Sequence, residues 1–247
     1  MEEHKSTVRA VERALDILLC FTDGTDLAMT EIAERVGLHK STVHRMLATL
    51  EEKGFITRDS ASDRYRLGMR IWELSTHLSN NDDPAIILLP EMERLRDELG
   101  ETVSLYVRDG EDRLRVQAVQ SGQAIRRVAP VGARLPLYVG ASSKVLIAFA
   151  EEADREALMG GKSWPTGFDR KQLEEQLEEI RRIGYATSVE EREAGAAAVA
   201  TPIFHRSGKL AAALSVSGPA SRLTLEKMRE YAPMIMNSAR LMGTMVK

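Results

Sequence analysis

Apolar residues recur with helical spacing at the start of the chain. Val8, Val11, Leu15, Leu18 and Leu19 predict a helix, and Gly24 marks its stop. A second, short helix fits Glu31 to Val36, with Thr30 as N-cap and Glu31 and Glu34 near the positive end of its dipole. Gly37 and Leu38 turn the chain into "HKSTVHRMLATLEEKG", a third helix. On a wheel of about 100° per residue, Val43, Met46, Leu47 and Leu50 share one apolar sector. Ser41, Arg45, Ala48 and Glu52 lie opposite, with Thr42 and Thr49 on one flank and His44 on the other. Gly54 suits the residue just past the helix end. "FITRDSASDRYRLG" then alternates and breaks at Asp59 to Asp63, which predicts a hairpin with a polar tip. Helix, helix, turn, helix, hairpin is the order of a winged helix-turn-helix.

Ile71, Leu74 and Leu78 share a face of the next helix, with Trp72 beside it, and "SNNDDP" (Ser79 to Pro84) is the strongest turn signal in the first half. We place a domain boundary there. Beyond it, Ile86, Leu89, Met92, Leu95 and Leu99 mark a helix, and "TVSLYVRDGEDRLRVQAVQ" a hairpin turning at Asp109 and Gly110. A strand is expected near Ala124 to Val128, then a loop through Pro130, Gly132 and Pro136. Helices fit Ser142 to Ala150, Asp154 to Met159, Asp169 to Ile183 and Thr224 to Met245. Strands near Ala196 to His205 and Leu210 to Ser217 flank the turn "RSGK". The mixture lacks strict alternation, so this half is α+β with a largely antiparallel sheet.

The polar face of the third helix suits a DNA major groove. Arg45 has the fork geometry for a guanine edge or a phosphate. Ser41, Thr42 and the helix N-terminal amides can hydrogen-bond phosphate oxygens, and Ala48 is small enough for close approach. His39, Lys40 and His44 extend this face, and the hairpin adds Arg58, Arg64 and Arg66. His39 stands where serine is a usual N-cap; a histidine caps poorly, so it is expected to face a phosphate.

Composition narrows the rest. With 247 residues there is room for two modest domains, and 43% hydrophobic with 29% charged residues describes a folded chain. The net charge of −3 supplies no general attraction to nucleic acid, so DNA binding rests on a local patch. Cys20 lies among Ile17, Leu18, Leu19 and Phe21, where buried packing is expected. A charged N-terminus and the lack of any run near the roughly 18 apolar residues of a span point to the cytoplasm and to no membrane partner.

Catalysis finds little support. In "GASSK", Ala141 occupies the position where a serine-lysine nucleophile would need serine. His205 has no metal-ligand partner at short spacing, while His4, His39, His44 and His77 lie in or beside the first half. Neither a phosphate loop nor paired catalytic carboxylates stand out. No enzyme, cofactor or metal is expected.

"VRAVERALDILLCF", "MTEIAERVGLHKSTVHRMLATLEEKGFITRD", "RYRLGMRIWELS", "LPLYVGASSKVLIAF" and "GYATSVEEREAGAAAVATPIFHRSGKLAAALSVSGPASRL" resemble, in order, the IclR family of bacterial transcription regulators. The resemblance implies a winged helix-turn-helix over residues 1–67, a linker helix over 68–83 and a GAF-like effector-binding and oligomerisation domain over 84–247. It also implies a homodimer, often paired into a homotetramer, on a palindromic double-stranded operator. In the family a small metabolite, often an organic acid, sits between the loop after "LPL" and the late strands. The matching positions are Leu135, Ala141 and Ser142, then Ser188, Ala198, Ser215 and Ser217. Several relatives carry an acidic residue at Ser188, a cysteine at Ala198 and a glycine at Ser143, so this pocket is less acidic and roomier. Arg127, or its neighbour Arg126, is a candidate to balance an anionic effector; the alternative makes both surface residues of an edge strand.

These readings converge on a ligand-responsive DNA-binding regulator, with repression the default sign. The rival is a ligand-sensing interaction module whose winged domain binds protein instead of DNA.

Overall fold

The computed structural model describes residues 8–22, 24–76, 84–126, 130–160, 164–165 and 169–246. The chain divides into two compact units, Met1–Asn81 and Asp82–Lys247.

In the first unit, α1 (Arg9–Leu19) runs into a 3-10 turn, and a two-residue strand β1 (Leu27–Ala28) leads into α2 (Met29–Val36). α3 (Lys40–Glu52), strands β2 (Ile56–Asp59) and β3 (Arg64–Leu67), and α4 (Met69–Thr76) follow. Ile17, Ile32, Val43, Leu47 and Ile56 are fully buried together, so α3 packs through the sector its periodicity predicts. The first helix stands where its spacing predicts, with most of its apolar stripe exposed. Its buried residue is Ile17, whereas Val8, Val11, Leu15 and Leu19 are 65%, 55%, 54% and 61% exposed. Cys20 is only partly buried, its thiol donating to the Asp16 carbonyl at 3.3 Å.

α2 starts one residue before Thr30, with Ala28 as N-cap. The cap is supplied by Glu31, whose carboxylate accepts the Ala28 N–H at 2.6 Å, because Ala28 is held extended by pairing with Arg64 of β3. Gly54, at φ +76°, donates to the Glu51 carbonyl at 2.9 Å and closes α3 in the left-handed conformation that glycine adopts freely.

The second unit holds a six-stranded antiparallel sheet. Its strands are β4 (Thr102–Asp109), β5 (Asp112–Val119), β6 (Arg134–Pro136), β7 (Ala186–Val189), β8 (Ala196–Phe204) and β9 (Leu210–Pro219), in the order β6-β5-β4-β9-β8-β7. A short helix α5 (Pro84–Ile87) precedes α6 (Leu89–Leu99), and α7 (Ala141–Ala148), α8 (Glu152–Met159) and α9 (Arg170–Ile183) separate β6 from β7. α10 (Leu225–Met245) ends the fold. Met92, Leu95, Ile235 and Met242 of α6 and α10 pack on one sheet face against Val103, Leu105, Val199 and Leu214. Val145, Leu158, Leu173 and Leu177 of α7, α8 and α9 pack on the other, against Tyr106, Ala186, Ala200 and Ala213.

The expected strand near 124–128 is a correction. Residues 124–126 are exposed and irregular, 127–128 lie outside the described residues, and the strand is β6 at Arg134–Pro136. Its partner explains the shift: Arg113 of β5 pairs with Leu135, a long-range choice that local alternation does not encode.

Candidate DNA interface and effector cavity

Helix α3 presents Lys40, Ser41, His44, Arg45, Ala48 and Thr49 to solvent, with Thr42 half-buried at the edge. Among the described residues, the side chains of Lys40, His44 and Arg45 have no ion-pair partner. His39 departs from expectation. It is the N-cap residue, with φ −65° and ψ 139°, and its Nδ1 accepts the Ser41 N–H at 3.3 Å while lying 2.8 Å from the Ser41 hydroxyl. An imidazole caps here because Nδ1, one bond beyond the ring carbon, reaches the same amide that a serine oxygen would.

The wing arginines divide by task. Arg64 donates to the Asp26 carbonyl at 2.8 Å and to Glu31 at 2.7 Å, which ties β3 to the start of α2. Arg66 reaches the Asp26 carboxylate at 3.0 Å and keeps an exposed guanidinium, whose proton that carboxylate holds more firmly than usual. Arg58 pairs with Asp63 across the hairpin at 2.6 Å, over the ring of Tyr65. Arg64 thus has a structural anchor, while Arg58 and Arg66 stay on the surface of the hairpin.

In the second unit, strand pairing builds a polar patch on the face toward α7. Thr102, Ser217, Ala198 and Ser188 are paired in succession across β4, β9, β8 and β7. Ser104, Ser215, Ala200 and Ala186 form the neighbouring row. Such small side chains cannot fill the space under the helix, and a cavity of about 50 Å³ remains there. Ala141, Ser142, Ser188, Ala198, Ser215 and Ser217 all line it. Leu135 does not; it sits in β6, half-buried against the α7 core. Arg127 lies outside the described residues. Arg126 is exposed and donates to Gln120 and to the Gln123 carbonyl, both at 3.3 Å.

The cavity also holds charges that local pattern did not single out. Arg113, only 3% exposed, comes from β5 and lies over the Tyr106 ring at 5.5 Å. Its Nη1 donates to the carbonyls of Pro136 at 2.6 Å and Val139 at 2.7 Å and to the Ser143 hydroxyl. Arg192 and Glu193 enter from the β7–β8 loop. The spacing of Arg113 and Arg115, two arginines alternating onto one face of a strand, was the signal available in the sequence. Arg115 is 1% exposed and bonds the Ser104 hydroxyl behind the cavity. Gly140 leads into α7 at φ +97°, and a side chain there would come within 3.3 Å of Arg113 Nη2.

A winged helix-turn-helix in one unit and a sheet with a polar cavity in the other define a ligand-responsive DNA-binding transcription regulator. Residues 10–60 match the profile described as IclR helix-turn-helix domain, and residues 79–243 that of the Bacterial transcriptional regulator IclR C-terminal. The chain belongs to the IclR family. The HTH-type transcriptional regulator KdgR of Escherichia coli is 29% identical, with 97% of this chain and 93% of that one covered. Transcriptional repressor IclR of the same organism is 28% identical, over 94% of this chain and 88% of that one. Among solved structures, an IclR homolog from Microbacterium hydrocarbonoxydans complexed with 4-hydroxybenzoate superposes with a TM-score of 0.78, at 30% identity, over 94% of this chain and 99% of that one. These relatives are regulators, not enzymes, and none favours a protein-binding winged domain. Among the described residues, no helix is long and apolar enough to cross a membrane.

Proposed function

We propose that the protein is a cytoplasmic repressor whose hold on a palindromic operator is set by a small organic acid. The division of labour follows residues 1–67 for DNA, 68–83 as the linker, of which α4 is described and 77–83 lie outside the described residues, and 84–247 for effector binding and assembly. Ser41, Thr42, His44 and Arg45 read the major groove, His39 and Lys40 meet the backbone at the helix start, and Arg58 and Arg66 contact flanking phosphates. Arg64 contributes by holding the wing in place. The outward stripe of Val8, Val11, Leu15 and Leu19 supports a dimer, since exposed apolar residues in helical register suit a second copy. Two such recognition helices require half-sites about one helical turn, or a multiple of it, apart.

The observation that carries the effector reading is the cavity's charge. Arg113 and Arg192 line the same small space as four serines and the start of α7, and the one carboxylate there, Glu193, stands 3.8 Å from Arg192. A carboxylate ligand fits this balance. The relative solved with 4-hydroxybenzoate, itself a carboxylate, supports the class. Such a ligand acts by binding one arrangement of the dimer better than the other.

Titration of the full-length protein against its own upstream DNA at several salt concentrations tests the first half. Arg45→Ala is expected to cost about 1–3 kcal/mol of selective binding, and Lys40→Ala to weaken all sequences alike and lower the salt slope by about one. A thermal-shift series of short organic acids on the wild type and on Arg113→Met tests the second. Equal shifts in both proteins, or none in the wild type, overturn the organic-acid reading.

A further inference from the structure

Glu191 lies in the loop between β7 and β8, one residue before the two that reach into the cavity. Its carboxylate makes two bonds to α7 and its approach. Oε1 is 2.5 Å from Lys144 Nζ, and Oε2 accepts the Gly140 N–H at 3.3 Å. Lys144 Nζ also donates to the Thr187 carbonyl at 3.2 Å. The base of the loop is fixed separately. The Glu190 N–H reaches the Ala196 carbonyl at 2.7 Å, the Gly195 N–H reaches the Glu190 carboxylate at 2.7 Å, and both residues sit at positive φ. Tyr138, Asp169 and Gln172 line a groove on the outer surface together with Lys144 and Glu191. On the inner side, Gly140 and Arg192 belong to the cavity. The ion pair therefore stands in the wall between the two, its lysine 14% and its glutamate 32% exposed.

We propose that Lys144 and Glu191 are the gate of this cavity, and that a carboxylate ligand enters by taking over the donors Glu191 now occupies. The proposal rests on the reading of the cavity as the effector site. With the pair broken, the strap of residues 191–194 loses its tie to Lys144 and shifts on its fixed base, while Arg192 and Glu193 keep the partners they have, each other at 3.8 Å among them. An entering carboxylate meets the Lys144 ammonium and then the Gly140 amide, the partners of the carboxylate it replaces. A neutral ligand of the same size finds no such exchange. The gate thus selects charge at the door, and Arg113 holds it inside.

The test measures access, without an effector. In the full-length chain carrying Cys20→Ser and Ser215→Cys, the thiol introduced in the cavity is labelled with N-ethylmaleimide. Adding Glu191→Gln is expected to speed labelling about tenfold, the scale of losing one charge-assisted hydrogen bond. The exchanged pair Lys144→Glu with Glu191→Lys is expected to bring the rate back toward that of the parent. Lys144→Met carries the same expectation as Glu191→Gln should the latter lose its cooperative melt. An unchanged rate in a folded variant overturns the gate, and so does loss of folding in both single variants, which makes the pair a fixed structural tie. Labelling does not depend on any metabolite, so its failure leaves the effector reading standing. Failure of the thermal-shift series would remove the carboxylate exchange, while the labelling rates would still report whether the pair controls access.

Discussion

Gly140→Ala probes the entrance to α7 directly. The backbone there has φ +97° and ψ 158°, a region adopted almost only by glycine, so alanine incurs about 1–3 kcal/mol of strain. Its methyl group would also stand 3.3 Å from Arg113 Nη2, closer than an ordinary contact. Arg113 has little room to retreat, because its Nη1 is bonded to the Pro136 and Val139 carbonyls at 2.6 and 2.7 Å. Lengthening those bonds adds up to about 1 kcal/mol. Restricting the unfolded chain gives back about 0.4–1 kcal/mol, which leaves a net loss near 2 kcal/mol. For a unit the size of Asp82–Lys247, that lowers the midpoint by about 4–8 °C at roughly 2–4 °C per kcal/mol. Differential scanning calorimetry of the full-length variant reads this in the transition assigned to the second unit. A midpoint within about 1 °C of wild type, far short of the shift expected from such strain, would refute the argument that only glycine fits.

Three further outcomes are expected. Leu47→Ala, at a fully buried position between α3 and its neighbours, should cost about 2–5 kcal/mol and lower the first unit's denaturant midpoint while leaving the second unchanged. Replacing His39 by serine should preserve the N-cap of α3, whereas His39→Ala should lose about 0.5–1 kcal/mol of first-unit stability in urea titrations. Glu91, buried between α6 and α10, is held below the usual carboxylate range by the bidentate Arg94 guanidinium. The unfolded chain then binds the proton more readily, so this stabilisation is complete above the ordinary value of about 4.3 and fades as pH falls below it. Urea melts from neutral pH down to about pH 3, below the ordinary carboxylate value, should show a shallower loss in Glu91→Gln than in wild type; parallel curves would contradict the assignment.

The residues of α3 illustrate what a sequence states by itself. Val43, Leu47 and Leu50 recur at 3.6-residue spacing, Gly54 permits the left-handed stop, and the hairpin alternates in the next dozen residues. Each signal joins neighbours in the chain, so the winged helix-turn-helix and its polar face are legible without tertiary contacts. Periodicity placed α1, yet it reports an apolar stripe without saying what covers it. The spacing of Val8, Val11, Leu15 and Leu19 is helical, yet the residue that packs is Ile17.

Ser215 and Ser217 were bound to share a strand face, since alternate residues do. What lies beside them depended on register. The pairing of Thr102 with Ser217 and of Ala198 with Ser188 sets small residues in rows, and a one-residue slip would have buried valines there instead. Arg113 enters the cavity because β5 pairs with β4 and β6, and Glu191 meets Gly140 across 51 positions of sequence. Local sequence determined most of the helices and the polar face of α3, because their signals span a few turns of chain. Only the tertiary structure decided the charge and closure of the cavity, because those come from side chains that are neighbours in space alone.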